Sequence, residues 1–220
     1  MIITIDGPAA AGKGTLSSKI AQKYHLACFD TGMLYRAVGL EMLLQNLPLD
    51  DEDSACKIAK ELTFPLMMNL SKHEDFRSAK GGDAASKVSA MPKVREALLK
   101  MQRDFALNPV FADGTAAQGV VYDGRDTGTT ICPNADLKIF ITASSEVRAM
   151  RRFKEYQQKG SSLTYEDVLA QTKERDARDS SRSTSPLRAA DDAVILDTSD
   201  MQIEEVFAFT CNLVEKILEK

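Results

Sequence analysis

The chain has 220 residues, 44% of them hydrophobic and 27% charged, with a formal net charge of −4. That length can bury the core of one α/β domain with an insertion or two, and the composition is ordinary for a globular protein, which excludes disorder. The acidic balance argues against a nucleic-acid partner, and no apolar run approaches a membrane span, so no membrane partner is expected either. Cys28, Cys56, Cys132 and Cys211 are scattered without a C-x-x-C pair. Buried free thiols in a cytoplasmic protein are therefore expected, with no room for a signal peptide ahead of the first strand.

Met1, Ile2, Ile3 and Ile5 predict a short buried strand near 2–6. A G-x-x-x-x-G-K loop follows, made of Gly7, Pro8, Ala9, Ala10, Ala11, Gly12, Lys13, Gly14 and Thr15, and Leu16, Ile20 and Tyr24 then recur at helical spacing. Strand, glycine loop and helix make a phosphate cradle: backbone N–H groups and the positive helix end face an anion, and Lys13 adds a full charge. Gly14 stands where the motif expects Ser or Thr, and Thr15 supplies the hydroxyl one place later.

A second strand is predicted near 26–30, ending in the turn Asp30-Thr31-Gly32, and a helix carries Tyr35 and Arg36 in its first turn. Taken alone, Arg36 is more readily a solvated surface arginine; the end of a strand is, however, where open α/β sheets hold ligands. A helix is expected around Ser54–Leu62. Residues 63–83 read as an excursion from the sheet, with an apolar piece at Phe64–Leu70, His73 in an exposed loop and a turn at Gly81-Gly82. Ser86–Phe105 has helical texture, with Arg95 beside its apolar stripe, and Ala112-Asp113-Gly114 forms a turn.

A strand near 119–123 ends in Asp123-Gly124-Arg125-Asp126-Thr127-Gly128, charges packed among glycines where a guanidinium and a carboxylate can meet a ligand. Strands near 137–142 and 193–197 complete the sheet. Between them Arg148, Arg151 and Arg152 open a charged stretch, Gly160-Ser161-Ser162 interrupts it, and Tyr165–Arg182 resumes as a helix. Arg175, Arg178 and Arg182 share one face of that helix, close to Asp176 and Asp179. This is either a solvated, ion-paired helix or an arginine-rich flap over phosphates. Met201–Leu218 reads as an amphipathic C-terminal helix. The alternation gives an α/β fold with a five-stranded, doubly wound parallel sheet.

A phosphate cradle, DGRDTG after a central strand and an arginine flap together imply phosphoryl transfer from a nucleoside triphosphate. A nucleoside monophosphate acceptor is already a nucleophilic dianion, so no base is needed; Lys13, Mg²⁺ and arginines hold two polyanions together.

GPAAAGKGT, DTGMLYRAV, AASKVSAMPKVREALL, YDGRDTGT and KERDARDSSR, in that order, resemble bacterial-type cytidylate kinases over nearly the whole chain. The resemblance implies a P-loop kinase that phosphorylates CMP or dCMP with ATP and Mg²⁺. Its core is expected at 1–53, 106–147 and 185–220, a monophosphate-binding insert at about 54–105 and a helical lid at about 148–184. It places the ATP phosphates on Gly7–Thr15 and the cytosine at Ser86, Arg95 and Asp126. Arg36, Arg125 and Arg182 are implied at the acceptor phosphate, with Arg175 reaching in from the lid, Asp179 near the ribose and Thr31 at the monophosphate site. Lys13, Arg125, Arg175 and Arg182 are the implied catalytic set, and Thr15 the implied Mg²⁺ contact. A monomer is expected. Compared with the family, the stretch between Leu62 and Ala84 is short and the one around 106–119 long. The competing readings are a small-metabolite kinase on the same fold and a non-catalytic nucleotide-binding protein.

Overall fold

In the computed structural model, which describes residues 1–158 and 160–219, five parallel strands form one sheet in the order β2-β3-β1-β4-β5. The strands are β1 (Ile2–Asp6), β2 (Ala27–Asp30), β3 (Val120–Gly124), β4 (Leu137–Thr142) and β5 (Val194–Asp197). Each lies within one residue of its predicted position. β1 sits at the centre, with Ile3 opposite Val121 on one side and Leu137 on the other. The chain leaves β1 toward β2 and leaves β3 toward β4, in opposite directions, which opens a crevice at the carboxyl ends of these neighbours.

The central strands are buried on both faces, so they read as continuous apolar runs rather than alternating ones. Period-two geometry then sorts their side chains. Val120 and Tyr122 pack with Ala27 and Phe29 under α2 (Gly32–Leu44), α3 (Glu52–Glu61), α4 (Phe64–Leu70) and α6 (Pro92–Leu107). Val121 faces the other way, with Ile3, Ile5, Ile139 and Ile141, under α1 (Lys13–Lys23) and α9 (Ile203–Leu218). Phe29, Phe105 and Tyr122 interlock, with Phe29 stacked on Phe105 at 4.5 Å and edge-on to Tyr122 at 5.4 Å. α7 (Ser145–Gln158) and α8 (Tyr165–Ser181) enclose a separate small cluster of Ala149, Tyr156 and Val168. At about 1.5–3 kcal/mol per large buried apolar side chain, this pair is held by far less burial than the sheet layers.

Several expectations are corrected. Gly81-Gly82 is not a turn: both residues lie inside α5 (Ala79–Val88). They are small because the helix is crowded; a Cβ at Gly81 would stand 2.1 Å from the Asp75 carbonyl oxygen, and one at Gly82 3.2 Å from Arg152 Nη2. Ser86–Phe105 is not continuous, since α5 ends at Val88 and Pro92 begins α6, where a ring without an N–H is tolerated. His73 is half-buried and caps a 3₁₀ turn at Glu74–Arg77, its Nδ1 accepting from the Asp75 N–H at 3.1 Å. Cys28 is exposed on β2, whereas Cys56, Cys132 and Cys211 are buried thiols. The long stretch before β3 folds back through a Val110–Ala116 antiparallel bridge, with Asp113 holding the Thr115 N–H at 2.9 Å and Gly114 at φ 84°.

Candidate active site

The glycine loop runs from the end of β1 to the first turn of α1. Gly7 has φ 148°, and a Cβ there would fall 2.0 Å from the Ile141 carbonyl oxygen, so the loop turns where only glycine fits. Gly12, at φ 95°, is the residue before α1, leaving the first N–H groups of the helix directed into the crevice. Lys13 is 5% exposed, and its Nζ donates to the Pro8 carbonyl at 2.8 Å and lies 3.8 Å from Asp123 Oδ1. Burial, reinforced by the nearby Arg125 and only partly offset by Asp123, pulls the Lys13 ammonium down to about 8. Burial likewise pushes the Asp123 carboxyl up to about 6.

Asp6, the last residue of β1, was missed by sequence reasoning. Its carboxylate accepts from the Thr127 N–H at 2.9 Å, the Thr127 hydroxyl at 2.8 Å and the Gly128 N–H at 2.8 Å. It thereby fastens the end of the glycine loop's strand to the turn that presents Arg125 and Asp126. The available signal was a carboxylate closing an otherwise apolar strand, directly before the loop.

On the opposite wall Arg95 and Asp126 form a pair that is nearly fully buried, Nη2 to Oδ2 at 2.6 Å. Arg95 also donates to the Ser89 carbonyl at 3.1 Å and lies over the Tyr35 ring at 5.3 Å, leaving its Nε without a partner. Arg125 Nε meets Asp179 Oδ2 at 3.1 Å. Burial alone would raise the Asp179 carboxyl, but Arg125, Arg175 and Arg182 together hold it below the usual carboxylate range. Arg182 follows α8 and donates to the Asp179 and Ser89 carbonyls at 3.2 and 3.3 Å. Arg36 donates to the Phe76 carbonyl at 2.8 Å, and the Thr31 hydroxyl to the Asp123 carbonyl at 3.0 Å.

Arg175 lines the cleft with its Nε buried and without a partner. Burial, with Arg125 and Arg152 nearby, lowers its guanidinium to about 9. Among the described residues, Arg95 Nε, Arg175 Nε and Arg182 Nη2 are buried donors without a partner. Each such group costs about 1–3 kcal/mol if left unmade. Crowded like charges with idle donors suit an anion carrying many oxygens.

These walls enclose a cleft of about 640 Å³. Of the sequence-predicted residues, Ala9, Ala10, Ala11, Gly12, Lys13, Gly14 and Thr15 line its floor. Thr31, Arg36, Arg95, Arg125, Asp126, Arg175, Asp179 and Arg182 line its sides. Gly7 and Pro8 lie buried beneath the loop. Ser86 lines an adjoining cavity of about 430 Å³ between α5 and α8, its hydroxyl accepting from Arg178 at 2.8 Å. Arg152, which the sequence did not single out as a site residue, lines both cavities. Arg148 is instead a tether: it grips Asp176 through both Nη atoms at 2.9 and 2.6 Å and reaches the Ala9 carbonyl at 3.3 Å.

The lowered Lys13 has a measurable consequence. At pH 8.5 the ammonium is partly neutral; a triphosphate seated beside it would restore the charge, and its binding would take up a proton. Calorimetry of ATP binding at pH 8.5 in buffers of different ionisation enthalpy should show net proton uptake that shrinks toward pH 7 and is lost in Lys13→Ala. Equal enthalpies in all buffers would contradict it.

Comparisons with known proteins follow the same line. The cytidylate kinase family model matches residues 3–216. A cytidylate kinase of Azorhizobium caulinodans is 49% identical over 216 residues, covering 98% of each chain. One of Bartonella henselae is 44% identical over 220 residues, covering 99% of this chain and 96% of the relative. A crystal structure of an uncharacterized protein from Eubacterium ventriosum has TM-score 0.52 at 13% identity, covering 98% of each chain, a likeness of fold alone.

Proposed function

We propose a function from one premise: the chain belongs to the cytidylate kinase family. It is an ATP-dependent nucleoside monophosphate kinase that transfers the γ-phosphoryl group of ATP to CMP or dCMP, giving ADP and CDP or dCDP. The observation that carries the site assignment is convergence: the loop with Lys13, the arginines with idle donors and the Arg95–Asp126 pair all face one cleft.

The donor phosphates rest on the loop amides and Lys13. The acceptor phosphate, a dianion near neutral pH, is held by Arg36, Arg125 and Arg182, and its own oxygen attacks the γ-phosphorus while the bond to the β-phosphate oxygen breaks. Arg175 lies where charge spreads over the transferring group. Its Nε has no partner in the protein, so no protein bond is broken when the guanidinium turns to that group. The aromatic and carbonyl contacts of Arg95 fix the guanidinium, which fixes Asp126. One Asp126 oxygen is taken by Arg95; the other accepts from the cytosine amino group, where uracil would present another acceptor. Asp179 receives the ribose.

The residues present suit Mg²⁺. The exposed Thr15 hydroxyl opens on the cleft floor, and among the described residues no cluster of His, Cys, Asp and Glu could hold a metal by itself. That matches an ion taking most of its ligands from phosphate and water. Bound at Thr15, Mg²⁺ would neutralise charge on the donor phosphates. The α7–α8 lid, with its small core, closes over both nucleotides and excludes water. We place the enzyme in the cytoplasm as a monomer acting on free nucleotides; among the described residues no helix is long and apolar enough to cross a membrane.

The test is an ADP-release assay with CMP, dCMP, UMP and AMP as acceptors. Turnover should be high with the cytosine nucleotides, low with UMP and near background with AMP. Equal turnover of all four, or none with CMP, would sink the assignment.

A further inference from the structure

Arg178 is the middle member of the arginine stripe on α8, and the mechanism above leaves it without a task. Its Nη1 donates to the Ser86 hydroxyl at 2.8 Å and approaches Asp83 Oδ1 at 3.4 Å, while its Nη2 is held by Glu174, one turn earlier, at 2.6 Å. Ser86 and Asp83 belong to α5 in the insert, and Glu174 and Arg178 to the lid, so this guanidinium ties the two moving parts together. The environments differ sharply. Asp83 and Glu174 are 50% and 69% exposed, so their ion pairs add little, whereas Ser86 is 2% exposed. The charge-assisted bond to Ser86, buried at its serine end, is therefore the contact with consequence.

A serine hydroxyl that accepts from a guanidinium keeps one lone pair and its own proton, and its rotamer is no longer free. Ser86 also sits one turn before Ser89, whose carbonyl receives both Arg95 and Arg182. Displacing α5 at Ser86 would thus disturb the carbonyl on which the Arg95–Asp126 pair is seated. We propose that Arg178 is a positioning residue for the acceptor nucleotide: by gripping the Ser86 hydroxyl from the lid, it makes closure of the lid and organisation of the pyrimidine-reading wall one event. This rests on the reading of Ser86 as part of the CMP pocket. The coupling is expected to act on the acceptor, because the carbonyl it steadies, that of Ser89, seats Arg95 and Arg182 and makes no contact with Lys13.

The test uses Arg178→Ala, Ser86→Ala and the double variant of the full chain. KM for CMP is measured at saturating ATP, KM for ATP at saturating CMP, and thermal unfolding alongside. Each single variant should raise KM for CMP about tenfold and leave KM for ATP within about twofold, and the double should be no worse than the worse single, since both remove one bond. Asp83→Asn should be nearly silent. If Ser86→Ala leaves KM for CMP unchanged, the placement of Ser86 in the pocket fails and the proposal with it. If Ser86→Ala raises KM for CMP and Arg178→Ala does not, only the role of Arg178 fails. Additive effects, or both KM values rising together with a lowered melting temperature, would also overturn it, since those mark independent or merely structural roles.

Discussion

Lys13→Ala should lower kcat about 10²–10³-fold with CMP and dCMP alike, the loss typical of deleting one preorganised donor at a charged transition state. The reason is positional. Lys13 Nζ points back at the Pro8 carbonyl, within its own loop, so its charge already sits on the cradle proposed for the donor phosphates. The effect on stability should be small by comparison. Burial disfavours the ammonium, and its partner Asp123 is 3.8 Å away, too far for a good bond. Removing the side chain relieves that penalty but leaves the buried Asp123 and the Pro8 carbonyl without their cation, so the two effects oppose each other and the melting temperature should move little while turnover collapses. KM for CMP should change little, since the acceptor arginines are untouched. Full activity in this variant, by the same ADP-release assay, would contradict the cradle assignment.

Asp126→Asn should erode the CMP-over-UMP preference by roughly tenfold to a hundredfold, the equivalent of about 1–3 kcal/mol for one buried group paired or left unpaired. Arg95 can only donate, so it takes the amide oxygen and leaves the NH₂ toward the base, and UMP gains as CMP loses. KM for ATP should stay near the wild-type value, which separates base reading from donor binding. Asp126→Ala should behave differently. Arg95, 6% exposed, would then keep its charge with no carboxylate, at a cost of about 3–5 kcal/mol in a chemical unfolding experiment. Unchanged selectivity in Asp126→Asn would move the base-reading role to another residue of the cleft.

The corrections above share one physical origin. Gly81-Gly82 looked like a turn because glycine is the usual turn residue. In the fold it is a clearance, set by a carbonyl at Asp75 and guanidinium groups of Arg36 and Arg152 that lie far from it in sequence. Asp6 looked like the end of a strand, and only the register of β1 against β3 brings Thr127 and Gly128 within its reach. Arg148 and Arg152 share a short run of charge. The helix turns one onto Asp176 and the loop, and the other into the cleft.

The sequence by itself determined the strand positions, the phosphate loop and the family, because these depend on local periodicity, on glycine at positive φ and on contiguous motifs. It also nominated the acceptor arginines and Asp126. What only the tertiary structure decided was how those charges divide their work. Arg95 pairs with Asp126 and Arg125 with Asp179, whereas Arg175 Nε and Arg182 Nη2 stay buried without a partner and Arg178 reaches across to Ser86. An arginine's task is set by which carboxylate or carbonyl lies within about 3 Å of its guanidinium. Here those partners come from the end of β3, from α5 and its following turn, and from α8, which meet only when the chain folds.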